Sequence, residues 1–277
     1  MKRSSWMPKS MMGLMGLIGL CTLGSALLVG CASPSAPGAS AEPTEWQTAV
    51  DETDARKRAR TRLALATGYY ENGQYTVALD ELKKSIQIDP TLADSYVLGG
   101  LIYMALGDTA LAESHFQRAL SVNPRDADAM HNLGWLLCQK GQYAQAQAQF
   151  ERAAAIPTYQ GRAKTLMAQG ICQARAGQTP QAEATLMRSY ELDAGNPVTA
   201  YNLSLLLFQR GDLERARFYI RRLNNGELAN AQSLWLGIKV EQRLNDRRAM
   251  EQLAAQLRRR FPQSPELVAY EQGRFNE

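Results

Sequence analysis

The chain has 277 residues and a formal net charge of +4 at pH 7, and three of its basic residues, Lys2, Arg3 and Lys9, precede a predicted cleavage point. The remaining chain is close to neutral, which argues against nucleic acid as a partner because phosphate binding needs a concentrated positive surface. Aromatic residues make up only 8% of the sequence, which is rich in Ala, Leu, Gln and Arg, and this composition favours helix.

Residues 1–30 have the pattern of a secretory signal peptide. A basic start is followed by an apolar run from Met11 to Val29, and such a segment is normally removed. The run is nearly long enough to span a bilayer, so an uncleaved anchor helix is the alternative. Its glycines, among them Gly13 and Gly16, would make it a poor permanent helix.

The end of this run, Leu28-Val29-Gly30-Cys31, resembles the bacterial lipobox. The resemblance implies that the Cys31 thiol receives a diacylglycerol, that cleavage occurs before it, and that the new amino terminus is acylated with palmitate-like chains. Several acyl chains hold a protein durably on a membrane. Ala32 stands where retention in the inner membrane usually requires Asp, which implies the periplasmic face of the outer membrane.

Residues 31–58 are predicted to form a tether behind the lipidated cysteine. The segment is small, polar and punctuated by proline as far as Pro43, and it has no apolar periodicity. A segment of this composition cannot bury enough apolar surface to fold, so we expect it to be disordered.

Five glycines recur through the rest of the chain at intervals of 34, 34, 36 and 34 residues. Each is followed five residues later by alanine and, four residues after that, by a large apolar residue, as in Gly107, Ala112 and Phe116. This pattern resembles the tetratricopeptide repeat (TPR), which implies an all-α superhelical solenoid of about six helix-turn-helix units. The glycines are Gly73, Gly107, Gly141, Gly177 and Gly211. The predicted units are 59–92, 93–126, 127–160, 163–196, 197–229 and 230–263, followed by a capping segment at 264–277.

The sixth unit is degenerate, because Leu244 stands where the other units have glycine. In each regular unit, small residues such as Gly100 and Ala112 are expected where the two helices cross closely. Large residues are expected to fill the space between hairpins.

No combination of residues predicts catalysis, a metal or a cofactor. The sequence has no zinc-protease motif, phosphate loop or nucleophile elbow, and His115 and His131 do not complete a metal-binding spacing with Cys138 and Cys172. The two cysteines are interpreted as small buried thiols, with a disulfide between neighbouring repeats as the alternative in an oxidising compartment.

The TPR resemblance also predicts a partner-binding groove. In that family, positions 2, 5, 9, 12 and 13 of each first helix line the concave face. The residues at these positions here are mainly apolar, unlike those of TPR grooves that grip acidic peptide tails, and an exposed apolar patch usually marks a binding site. Trp135 is predicted as the anchor; the alternative is that these side chains pack internally. The predicted groove residues are Val97, Leu101, Met104, His131, Trp135, Met167, Ile171, Tyr201, Leu205 and Phe208.

A lipobox followed by six such units resembles the PilW/PilF lipoproteins of type IV pilus biogenesis. The local resemblance is carried by residues 230–239, which contain Trp235-Leu236-Gly237, and by Phe261-Pro262 and the ending around Tyr270. It implies a pilotin, a protein that helps the outer-membrane secretin reach its membrane and form multimers. The alternatives are an envelope TPR scaffold that organises peptidoglycan enzymes or β-barrel insertion, and an envelope hydrolase.

Overall fold

The computed structural model describes residues 52–275, so the predicted signal peptide, Cys31 and most of the tether lie outside the described residues. The described part contains thirteen α-helices and no strand. They are α1 (Asp54–Glu71), α2 (Tyr75–Ile88), α3 (Ala93–Ala105), α4 (Thr109–Val122), α5 (Ala127–Gln139), α6 (Tyr143–Ala154), α7 (Arg162–Arg175), α8 (Thr179–Leu192), α9 (Pro197–Gln209), α10 (Leu213–Asn224), α11 (Ala231–Arg243), α12 (Arg247–Arg260) and α13 (Pro265–Glu271).

The helices pair as six consecutive hairpins, from α1 with α2 to α11 with α12, and α13 stands alone at the end. Each second helix packs on the first helix of the next hairpin, and each of the first helices from α1 to α9 also touches the next first helix. Among the described helices, second helices of neighbouring hairpins do not pack on each other. The first helices therefore lie on the inner side of the stack, and we call the surface of α3, α5, α7, α9 and α11 the inner face.

Within a hairpin, a small residue on the first helix faces a large one on the second. A Cβ atom added to Gly100 would lie 2.3 Å from Cε1 of Phe116, and one added to Gly134 would lie 2.9 Å from Phe150. Both phenylalanines are fully buried. The glycines therefore let the two helices approach over an aromatic ring that leaves no room for a methyl group.

The turn inside each hairpin needs a residue with positive φ. In hairpins one to five the repeat glycine has the positive φ, as with Gly211 at 82°, and in the sixth hairpin Asn245 has it at 58°. The prediction that aligned Leu244 with these glycines is therefore wrong by one residue. Asparagine is the residue other than glycine that most readily adopts this conformation.

In the corrected register, the large and the small residue at the helix crossing of the sixth hairpin have changed places relative to the other hairpins. Thirty-four residues after Ser204 and Ile220 come Ile238 and Ala254, and both are buried in one apolar cluster. The sixth hairpin thus places the large side chain on its first helix and the small one on its second. The apolar volume at the crossing is kept, which is what a close-packed core requires.

The first helix begins earlier than the sequence predicted. It starts at Asp54, inside the segment assigned to the tether, and the Thr53 side chain caps it by accepting a hydrogen bond from the Arg56 backbone N–H. The Arg56 side chain pairs with Asp89 at 3.1 Å and donates to the Thr91 carbonyl. These contacts tie residues 54–58 to the end of the first hairpin, so they belong to the folded array.

A disulfide joins α5 to α7. Cys138 and Cys172 are both buried, and their Cα atoms lie 5.8 Å apart. The interpretation of these cysteines as free thiols is therefore wrong. The structure has the alternative, a disulfide between neighbouring repeats. The bond crosses the junction where two extra residues interrupt the 34-residue period.

The junction between the fifth and sixth hairpins contains a buried carboxylate. Glu241 on α11 is fully buried, and its two oxygens lie 2.7 Å from Arg221 and 3.5 Å from Arg217, both on α10. Asp246, at the start of α12, is within 3.8 Å of the same two arginines. Opposite charges therefore neutralise Glu241 where water cannot reach it.

The last helix continues the repeat for half a unit. Pro265 at its start lies 34 residues after Ala231, the start of α11, and Ser264 caps it. Leu267 packs into the apolar cluster of the sixth hairpin, and the Phe275 ring lies 5.4 Å from the Trp235 ring. The segment therefore covers apolar surface at the end of the stack, as terminal repeats must.

Candidate partner-binding face

The predicted groove residues all lie on the first helices of hairpins two to five. Eight of the ten are half-buried, and His131 and Phe208 are buried. Most of the half-buried ones pack at the edge of the core clusters beneath them. They therefore combine a structural contact with a surface that remains partly accessible. The half-buried residues are Val97, Leu101, Met104, Trp135, Met167, Ile171, Tyr201 and Leu205.

His131 is not available to a partner and is corrected to an internal residue. It is 5% exposed, its Nδ1 lies 2.9 Å from the Thr165 hydroxyl on α7, and its ring meets the edge of Phe150. Burial, with a smaller effect from Lys164, lowers the pKa of His131 from 6.5 to about 4. A neutral imidazole is therefore built into the junction of hairpins three and four.

Phe208 is also closed to solvent, for a different reason. The guanidinium of Arg243 lies 4.5 Å from the centre of its ring, and the Lys239 ammonium lies 5.9 Å from it. Both cations come from α11, the first helix of the next hairpin. The predicted apolar position is thus an aromatic ring covered by charge, an arrangement stabilised by cation–π attraction.

Trp135 has the same kind of cover and keeps part of its surface open. It stands on α5, and the Arg175 guanidinium at the end of α7 lies 5.1 Å from its ring centre. Its own ring packs against the cluster that contains Cys138 and Phe150. The predicted anchor is therefore a half-buried tryptophan held between the core and a neighbouring cation.

Four residues of this face were missed by the sequence prediction: Arg175, Trp235, Lys239 and Arg243. Trp235 is buried beneath Phe275, and the Lys239 ammonium lies 5.5 Å from its ring. When the repeat register of the sixth hairpin is shifted by one residue, Trp235 and Lys239 occupy two of the groove positions. The signal in the sequence was Asn245, which fits the turn position better than its neighbour Leu244.

Burial shifts the pKa values of two side chains on this face, Tyr201 and Lys239. Burial raises the pKa of Tyr201, helped by the charge of Glu266 on α13. Burial and the adjacent Arg243 lower the pKa of Lys239. Two cations thus lie side by side on α11, and they repel each other.

The described residues hold neither a membrane helix nor a metal cluster. None of the helices in residues 52–275 has the length and apolar character needed to cross a bilayer. Within the same range, no three His, Cys, Asp or Glu side chains are arranged to hold a metal ion.

Comparison with known proteins first defines the class. Models of the tetratricopeptide repeat match residues 91–158 and 197–217, and a TPR repeat model matches residues 68–107. Together with the stacked hairpins, these matches confirm the predicted all-α TPR solenoid.

The family follows from individual relatives. The crystal structure of PilW, a type IV pilus biogenesis factor, matches with a TM-score of 0.71 at 30% identity, covering 76% of this chain and 97% of that one. The type IV pilus assembly protein PilF of Pseudomonas aeruginosa is 26% identical over 209 residues, which are 76% of this chain and 83% of PilF. A structure of P. aeruginosa PilF matches with a TM-score of 0.72 at 24% identity, covering 80% of this chain and all of that one, and shows the same fold. The chain belongs to the PilW/PilF family of type IV pilus biogenesis proteins, as the sequence predicted, and this membership supports a role in pilus assembly.

Proposed function

We propose that this protein is an outer-membrane lipoprotein that acts as a pilotin, assisting the secretin of the type IV pilus to form multimers. The observation that carries the proposal is the 30% identity to PilW over nearly the whole of that chain. The lipobox ending at Cys31 supports the anchor. The disulfide between Cys138 and Cys172 supports a periplasmic position, because disulfides persist in oxidising compartments.

The anchor is tested by replacing the lipidated residue. Cys31→Ala is expected to abolish labelling of the protein with radioactive palmitate and to release it from the outer-membrane fraction. Cys21→Ala, ten residues earlier within the apolar run, is the matched control and should change neither result. Persistent palmitate labelling of the Cys31 variant would refute the lipid assignment.

The assembly role is tested at the inner face. Trp135→Ala removes a half-buried ring from this face, and Phe218→Ala removes a 59% exposed ring from α10, a second helix. We expect Trp135→Ala to deplete the heat-resistant secretin multimer and surface pili, because aromatic anchors dominate binding energies. Phe218→Ala should leave both unchanged.

Stability has to be separated from binding in this experiment. Since Trp135 packs partly on the core, its loss should cost about 1–2 kcal/mol, less than the roughly 3–5 kcal/mol of a fully buried aromatic residue. Thermal melting of each purified variant therefore accompanies the multimer blot. A Trp135→Ala protein that is folded at the growth temperature and still supports full multimer would exclude this face.

A further inference from the structure

The inner face of hairpins three to six carries cations as well as apolar residues. Arg175 lies over Trp135, and Arg243 lies over Phe208. In both cases the aromatic ring belongs to one hairpin and the arginine to the first helix of the next. The half-buried side chains of Ile171 and Leu205 belong to the same stretch of this face.

The two arginines are exposed, and neither forms a salt bridge with any residue in the range 52–275. Other arginines of the array do have carboxylate partners, for example Arg215 with Glu183 at 2.7 Å. A guanidinium that rests on an aromatic ring still has its N–H groups in its own plane, where they can bind a carboxylate with two parallel hydrogen bonds. The ring also limits the orientations of the guanidinium, so less side-chain entropy is lost on binding.

The same edge of the face alternates between amide and guanidinium groups. Gln139, Arg175, Gln209 and Arg243 occupy equivalent places near the ends of α5, α7, α9 and α11, and all four are exposed. An incoming carboxylate would offset the charge of Arg175 or Arg243 at this edge.

We propose that the inner face of hairpins three to six binds a partner segment in which acidic side chains stand on both sides of apolar ones. The carboxylates pair with Arg175 at one end and with Arg243 at the other, and the apolar side chains lie on Ile171 and Leu205 between them. This inference rests on the proposed function, in which the inner face binds the partner, and it specifies the chemistry of the bound segment.

The test uses the purified full-length lipoprotein in detergent and a displayed library of random peptides. Peptides selected on the native protein are expected to be enriched in Asp or Glu flanking apolar residues. For a selected peptide, replacing its acids with the matching amides should weaken binding at least tenfold, and raising the salt concentration should weaken the acidic form more.

Two double variants with the same change of charge complete the experiment. Arg175→Gln/Arg243→Gln should weaken binding of the selected acidic peptide at least tenfold. Arg248→Gln/Arg259→Gln on α12 removes two exposed arginines from a second helix and should leave it unchanged. Thermal melting of both variants confirms that each is folded.

The outcomes separate this inference from the pilotin proposal. Peptides without acidic enrichment, or equal weakening by both double variants, overturn the acidic-segment inference. Heat-resistant secretin multimers that form in cells lacking this protein overturn the pilotin proposal instead. Acidic enrichment that depends on Arg175 and Arg243 supports the inference in either case.

Discussion

The close approach of paired helices at Gly100 can be tested with a single methyl group. Gly100→Ala places a Cβ atom 2.3 Å from Cε1 of Phe116 and 2.6 Å from two further atoms of that ring. Phe116 is fully buried, and a close-packed interior leaves its ring little room to move. The same substitution at Gly68 in α1 meets no atom within 4 Å, which makes Gly68→Ala a matched control.

Gly68→Ala should therefore raise the free energy of unfolding, and Gly100→Ala should lower it. Alanine is favoured over glycine inside a helix by about 1 kcal/mol, and this gain applies at both sites. At Gly68 it is the whole effect, so the free energy of unfolding should rise by about 0.5–1 kcal/mol. At Gly100 it is opposed by an overpacking cost of about 1–3 kcal/mol or more. Since the contact is more than an ångström inside ordinary van der Waals distance, we expect a net loss of about 2 kcal/mol.

Urea denaturation followed by helical circular dichroism measures both changes. Adding Phe116→Leu to Gly100→Ala removes Cε1 and Cζ, two of the three ring atoms that the new methyl group meets. The alanine should then cost less than it does opposite phenylalanine. If Gly100→Ala stabilises the protein as much as Gly68→Ala does, the small-to-large pairing does not constrain the packing, and this account of the crossing is wrong.

Three further predictions concern the junctions between hairpins. Replacing Arg217 and Arg221 with methionine leaves the fully buried Glu241 carboxylate without its arginine partners and should lower the free energy of unfolding in urea by about 3–5 kcal/mol. Adding Glu241→Gln to this double variant should recover much of the loss. Equal stability of the double and triple variants would contradict the prediction. Because the folded pKa of His131 lies near 4, below its ordinary 6.5, about 3 kcal/mol of stability should be present above pH 6.5 and lost as the pH falls towards 4. His131→Gln should flatten that part of the stability profile, and an unchanged slope would assign it to other groups. Cys138→Ala/Cys172→Ala, or reduction of the native protein, should lower the unfolding free energy by about 3–4 kcal/mol for a bridge across 34 residues, whereas free thiols would give no response to reductant.

The regular hairpins were predictable because their glycines recur with the period of the fold. At each turn only a residue that tolerates positive φ fits, so Gly107 or Gly211 fixes the register of everything around it. The sixth hairpin was predicted with its register off by one residue, because Asn245 meets the same requirement with a different side chain and because Ile238 and Ala254 exchange sizes. Complementary volume is a property of a pair, and a position-by-position pattern does not detect the exchange.

The binding face was harder to predict than the fold. The TPR groove positions identify which residues of a first helix point inward, but they do not predict which side chains of the next hairpin cover those residues. Phe208 is closed by Arg243 from the next hairpin, and His131 is closed by the junction with α7. These contacts depend on the stacking angle between hairpins, which the sequence period leaves open. The start of α1 at Asp54 likewise depends on a distant partner, Asp89.

The bond between Cys138 and Cys172 has a mechanical consequence. When opposite ends of a solenoid are pulled, its hairpins can peel apart and release their chain length one after another. The disulfide joins residues that are 34 apart in sequence, so a pulling force passes from α5 directly to α7 and does not act on α6. At full extension those residues would span about 110–120 Å, and this length stays stored however hard the ends are drawn. A chain pulled from both ends would therefore release length only from residues outside the bridged segment 138–172.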